Sequence, residues 1–409
     1  MTRSLTTLVL LGTLGLLPAR NPAFAQEPET RAAALQQQRE EKSQHLQPPE
    51  PSRGERVLLD LESGRFLERI LNPAEGLYPR IGNITSGSGF SLGPGYRHAG
   101  IFGGHANFST FVAASFKKYW MIDARLQMPQ LAGGRAAIDL HAQRYDFPEE
   151  HFFGLGPDSR REDEVTYGLG NTVVGATGAY RPTRWLNIGA TIEQLRPRIA
   201  VTAEPGALLS VFDEPRAPGV FDRPQYFKYE ATVDVNNREP RGNPRRGGRY
   251  ALAYQRFEDG GGDRFSFSRL EADVQHYIPL LRDRRVLALH AFASASDADA
   301  GAEIPFYLQK TLGGPDDLRG FRHLRFRDRN VLLLQAEYRW EIFTAVDGAI
   351  FYDAGKVASR VEDLNLRDLE SDYGIGFRFG TVNGIFLRVE GAFGSSAGKH
   401  FVLRFGNVF

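Results

Sequence analysis

Gly394-Ser-Ser-Ala-Gly398 has the spacing of a nucleophile elbow, in which a serine on a sharp strand-to-helix turn attacks an acyl group. Its neighbours deny it that turn. Alternating apolar and polar residues run on both sides, so the segment reads as a hairpin between the last two strands, and no catalytic residue is assigned. Asp297, Asp299 and Glu303 gather hard oxygen donors in one stretch but lack the full ligand spacing of a calcium loop. The nine histidines contain neither H-E-x-x-H nor a paired metal spacing, so no metal and no cofactor is assigned. What remains is electrostatics. In Tyr307-Leu-Gln-Lys-Thr-Leu-Gly-Gly-Pro-Asp-Asp-Leu-Arg-Gly-Phe321 the turn-forming Gly313 and Gly314 precede Leu318, Arg319, Gly320 and Phe321. One cation there sits beside a glycine and an aromatic ring in an otherwise irregular loop. Downstream, Ile350-Phe-Tyr-Asp-Ala-Gly-Lys356 sets Asp353 on one phase with Phe351 and Gly355, a phase turned toward an interior.

Composition narrows the scaffold that positions these groups. Fifty Lys plus Arg stand against 49 Asp plus Glu, which gives no overall electrostatic reason to expect nucleic acid as partner. With no cysteine, neither a disulfide framework nor a thiolate site is available. Arg3, the apolar run from Leu8 to Leu17 and Ala23-Phe24-Ala25 compose a secretory signal peptide over 1–25. After it no run of ~18 apolar residues occurs, so a membrane-spanning form must be a closed barrel, because an open sheet edge in lipid leaves backbone groups unpaired. Residues 26–75 are rich in Gln, Glu and Arg, with Pro48, Pro49 and Pro51, and read as a flexible periplasmic leader. Within it Glu55–Leu71 suits a short amphipathic helix and an ordinary linker equally.

From Gly76 to Phe409 the period is two. Phe227, Tyr229, Ala231, Val233 and Val235 share one face, and Lys228, Glu230, Thr232, Asp234 and Asn236 the other; the first suits lipid and the second water. A soluble sandwich also alternates, but these strands run long enough for a tilted bilayer crossing. Short turns at Leu131–Arg135, Arg181–Arg184, Leu280–Arg284, Phe343–Val346 and Thr381–Gly384 alternate with long connections at 147–164, 198–225, 297–329 and 356–371. With both chain ends on the short-turn, periplasmic side, the strand number must be even. Taking Gly76–Ile84 as a weak first strand puts eleven strands before loop 297–329 and five after it. The expectation is an all-β transmembrane antiparallel barrel of about sixteen strands, with Pro79 weakening the seam between its first and last strands.

The loop motif, the aromatic-x-Asp-x-Gly strand at 351–355, Tyr373-Gly-Ile-Gly-Phe-Arg-Phe379 and Phe386-Leu-Arg-Val-Glu-Gly-Ala-Phe393 resemble, in order, the BamA/TamA-like superfamily of outer-membrane barrels, the bacterial surface antigen family. Phe152-Phe-Gly-Leu-Gly-Pro157 is similar to a segment of surface-antigen barrels without periplasmic modules, folded over the extracellular rim. The resemblance implies that loop 297–329 enters the lumen and that Arg319 bonds Asp353 there. It implies that Phe401, Leu403, Phe405 and the terminal Phe409 form the signal by which the assembly machinery recognises the chain as a substrate. It implies an integral outer-membrane protein with periplasmic termini, in contact with outer-membrane lipids and lipopolysaccharide. Residues 26–75 are too few for one of the POTRA modules that the superfamily carries. The implied function is insertion or translocation of client proteins or lipids, without enzymatic chemistry. A structural or pore-forming barrel and a phospholipase-type barrel enzyme are the alternatives. Asp234–Gly248 resembles the superfamily's Asp-x-Arg-x-Asn-Pro turn with a shifted arginine, and its arginines read as solvated or as facing lipid headgroups.

Overall fold

The computed structural model describes residues 75–404 apart from 202–205, 282–283, 344, 382–383 and 395–397. The signal peptide, the leader up to residue 74, and Phe405 and Phe409 lie outside these residues. One sheet holds seventeen strands; one of them, Arg198–Ala200, is a three-residue extension beside a longer neighbour. The other sixteen are β1 (Gly76–Gly82), β2 (Ser91–Gly100), β3 (Ala106–Ser115), β4 (Trp120–Leu131), β5 (Ala136–Phe152), β6 (Val165–Tyr180), β7 (Leu186–Leu195) and β8 (Tyr226–Asn236), followed by β9 (Gly247–Asp259), β10 (Phe267–Leu280), β11 (Arg285–Ala298), β12 (Asn330–Phe343), β13 (Val346–Ala358), β14 (Glu370–Thr381), β15 (Gly384–Gly394) and β16 (Gly398–Arg404). Each pairs antiparallel with the next in chain order. Among the described residues Gly76–Gly82 is therefore the first strand, and the long loop follows the eleventh.

Two-residue alternation sorts the wall as expected over β4 to β11. Phe227, Tyr229 and Val233 stand exposed outside, while Lys228 reaches Glu193 at 3.1 Å and Glu230 at 2.9 Å inside. Over β12 to β15 the inward face departs from the expected water. Gln335, Glu337, Arg339, Asp353, Arg378, Arg388 and Glu390 are buried. The cause is the 299–329 loop, which occupies that side of the lumen and removes its charged wall from solvent.

Both ends of the barrel carry chain across them. At the loop end Phe152 and Tyr167 pack with Leu208, Phe212, Val220 and Phe306 into an apolar core, the Phe152 and Phe306 rings lying 5.0 Å apart. The Phe152–Pro157 segment thus folds inward over that rim, turning at Gly154 and Gly156, both with positive φ. At the short-turn end the residues between β8 and β9 reach across the mouth. Arg241 donates to the Arg184 carbonyl in the β6–β7 turn, Arg238 to Gln275 on β10, and Arg245 to Asp347 on β13 at 2.8 Å. Arg238 and Arg245 are thereby turned inward rather than left to solvent or headgroups, because the buried Gln275 amide on the neighbouring β10 and the buried Asp347 carboxylate on β13 supply their acceptors.

Candidate functional site

Gly313 and Gly314 take φ of 109° and 125°, and a Cβ on Gly313 would lie 2.3 Å from the Arg322 carbonyl oxygen. Only glycine fits there, and the turn closes with Gly314 N–H donating to Leu318 O and Leu324 N–H to Gly313 O, each at 3.1 Å. Leu318 and Phe321 then enter an apolar cluster with Leu312, Phe326, Leu333 and Val357, which seats the loop on β12 and β13. Gly320 lies flat on the adjoining strands β14 and β15: a Cβ would sit 2.6 Å from both the Asp372 Cβ and the Gly394 nitrogen. Gly355 makes room from the strand side, its Cβ position lying 2.7 Å from the Leu332 oxygen and 3.0 Å from Leu312 of the loop. Gly320→Ala is expected to prevent this seating, and raised trypsin cleavage after Arg322 and Arg325 would report it.

The apolar anchors aim Arg319 into the wall. Its Nε donates to Asp353 Oδ2 and its Nη2 to Asp353 Oδ1, both at 2.7 Å, a bidentate fork. Its Nη1 reaches Glu337 and Glu390, both at 2.9 Å, and its guanidinium stacks 3.4 Å from the Phe351 ring centre. Arg378 bridges Glu337 and Glu390 as well, Arg339 donates to Glu337, and Arg388 to Glu390. Gln335 ties Asp353 to the loop carbonyl of Asp317. The Gly-x-Gly strand supplies the floor: the Phe351 ring covers Gly374, and the Glu390 side chain covers Gly376.

The structure brings Arg319 and Asp353 together but places them in a larger network. Glu337, Glu390, Arg378 and Arg388 escaped the sequence reading as partners, although their inward phase was visible in Gln335-x-Glu337-x-Arg339 and Arg388-x-Glu390. Phe401 and Leu403 stand exposed on the outer face of β16, away from this cluster. Gly394 and Gly398 are paired across a hairpin, not a strand-to-helix turn, and Asp299 is held by Arg256 at 2.6 Å. Among the described residues no group of three or more His, Asp or Glu side chains is arranged to hold a metal ion.

Two loop groups give docking a pH signature. Burial, reinforced by the neighbouring Asp316 charge, pushes the Asp317 carboxyl up to about 7, so the docked loop favours its proton. Burial, with cationic neighbours, pushes the His323 imidazole down to about 4, so the docked loop favours the neutral ring. Asp317 therefore stabilises docking at low pH and loses that contribution as pH rises toward 7; His323 contributes at high pH and loses it as pH falls toward 4. Between about 4 and 6.5 the two proton counts cancel. His323→Gln is expected to leave loop protection falling with rising pH, and Asp317→Asn to leave it rising. Limited papain proteolysis across that range, normalised at each pH to an unfolded substrate, tests both, and flat profiles in the variants refute the assignment.

A family model described as the Omp85 superfamily domain matches residues 219–395. The crystal structure of BamA from Haemophilus ducreyi lacking POTRA domains 1-3 superposes with a TM-score of 0.60 at 14% identity, covering 85% of this chain and 77% of that one. CdiB from Acinetobacter baumannii gives 0.51 at 13%, over 81% of this chain, and CdiB from Escherichia coli gives 0.52 at 14%, over 79%. The chain spans only 59% and 60% of those two CdiB chains. No curated protein matches the sequence. Residues 219–395 contain β8 to β15, the docked loop and its whole charge network, so the part of the chain that builds this site is an Omp85 superfamily domain, and the protein is an outer-membrane β-barrel of that type.

Proposed function

We propose that the barrel inserts or translocates proteins or lipids at the outer membrane through the seam between β1 and β16, with its termini on the periplasmic side. The observation that carries this reading is the build of β1. It has seven residues, against 17 in β5, and sets Pro79 opposite Pro94 of β2. Neither proline has an N–H, so this pair occupies a non-hydrogen-bonded position, whose amides point away from each other. Pro79 thus removes a donor from the edge that faces β16, leaving Leu77 and Ile81 as the seam-facing donors within β1. An edge so short and so poor in donors opens at low cost and accepts an incoming strand by augmentation.

Arg404 of β16 joins the docked loop to this edge. It pairs with Asp316 of the loop at 2.7 Å and donates to Ser86 in the β1–β2 turn. A cavity of about 430 Å³ lies between these parts, bounded by Ser86, Phe321, Arg322, Leu403 and Arg404. Phe401, Leu403, Phe405 and Phe409 fit the role of the chain's own insertion signal.

The chain has no cysteine, so pairs set across the seam, Leu77→Cys or Ile81→Cys against Phe401→Cys or Leu403→Cys, form the sole disulfide. Under depletion of the native protein, a locked barrel is expected to fail to restore the outer-membrane protein and lipid composition of the host, and reductant to relieve the failure. Full restoration by a demonstrably locked barrel refutes the seam as the route.

A further inference from the structure

The short-turn rim carries charge of one sign along one arc. The four consecutive turns at 132–135, 181–185, 237–246 and 281–285 contain ten arginines and two acids, Glu239 and Asp283. Arg238 and Arg245 turn inward, as described. Exposed on the rim are Arg135, Arg181 and Arg184, Arg241 and Arg246, and Arg284 and Arg285. The remaining short-turn connections, at 101–105, 344–345 and 382–383, contain no lysine or arginine. The whole chain has a formal net charge of only +1, so this arc is a local accumulation, set on the wall from β4 to β11 and absent from the turns near the seam.

Directly beneath the arc, on the outer face of the same hairpins, Tyr180, Trp185, Ile188, Leu280 and Leu281 are exposed. Aromatic rings at the edge of an apolar belt mark the height of the membrane interface, and cations just beyond them lie at the level of lipid phosphates. We propose that this arc is a binding surface for anionic phospholipid headgroups, which gather under β4 to β11 and leave the seam side without such a shell. A curved row of arginines spread over four turns, each above outward apolar residues, matches a leaflet of headgroups better than the compact acidic face of a protein partner. Each cation near such a surface contributes an attraction that salt screens.

The three tryptophans supply the test, since Trp185 lies within the arc and Trp340 stands on β12 at the same end, covering Gly348 on the outer wall beyond the arc. Full-length protein keeping only Trp185 (W120F/W340F) or only Trp340 (W120F/W185F) is reconstituted with brominated phosphatidylglycerol or brominated phosphatidylcholine at equal mole fraction. The expected result is quenching of Trp185 at least about twofold stronger by the anionic lipid, lost at 1 M salt, with no preference at Trp340. The same preference should vanish in R181Q/R184Q/R284Q/R285Q, whose folding is checked by heat-dependent gel mobility. Equal quenching of Trp185 by both lipids, including the case in which an acidic protein occupies the arc instead, overturns the proposal, as does a preference that survives the quadruple variant. Failure of the membrane reading itself looks different: neither tryptophan is then quenched by either lipid.

Discussion

Arg319→Met is expected to release the loop from the lumen wall and to destabilise the docked barrel by roughly 3–5 kcal/mol, the cost of leaving a buried charge uncompensated. The network identifies which charge suffers. Glu337 and Glu390 keep Arg378, and Glu337 keeps Arg339 too, whereas Asp353 is left with the Gln335 amide and faces the buried Asp372 across the β13–β14 pair. Asp353→Asn is expected to cost less, because Arg319 still meets two carboxylates. Combining Arg319→Met with Asp353→Asn should recover part of the loss, since both members of the pair are then neutral. Reversing the pair, with Arg319→Asp and Asp353→Arg, should cost more than Arg319→Met or Asp353→Asn alone, because the new acid would face Glu337 and Glu390. Heat-dependent gel mobility and trypsin cleavage after Arg322 and Arg325 measure the series. Equal losses for Arg319→Met and Asp353→Asn would show that the two residues act as an isolated pair and not within a shared cluster.

That ordering of effects also shows where sequence reading stops. Arg319 and Asp353 were legible because each is the single charge of its kind in a short pattern, and the strand phases were legible because alternation is imposed by the pleat. The even strand count followed from placing both chain ends on the short-turn side, and it put Gly76–Ile84, with its proline, at the seam as the first strand. The partners of Arg319 were not legible. An inward Glu337 and an inward Glu230 look alike in sequence, yet one is dry and bound to three arginines while the other sits in the more open half of the lumen. The difference is made by the loop, which seats Arg319 against the wall from β12 to β15 and leaves Glu230 on β8 outside that contact. The crossing turn between β8 and β9 was hidden for a similar reason. Arginines in a turn suggest solvent until an acceptor a hundred residues away, Asp347, turns one of them inward.

Asp347→Ala is expected to free that crossing turn and, together with Arg319→Met, to raise ion conductance through the lumen by more than the sum of the two single changes. The turn and the docked loop obstruct the same lumen at opposite ends, and for obstructions in series the narrower one governs the flow, so removing either alone leaves the other in control. The latch is specific. Asp347 is buried, accepts two hydrogen bonds from one Arg245 nitrogen at 2.8 and 2.9 Å and a third from Asn243, and stands on the first turnward residues of β13, across the mouth from β8 and β9. Removing its carboxylate leaves the partly buried Arg245 without its acceptor, a penalty of about 1–3 kcal/mol that favours a swung-out turn. Planar-bilayer recordings of the wild type, both singles and the double variant decide the matter. If Arg319→Met alone conducts as well as the double, the turn obstructs nothing; if the wild type already conducts freely, the lumen itself is a route, and the case for the seam loses its physical ground.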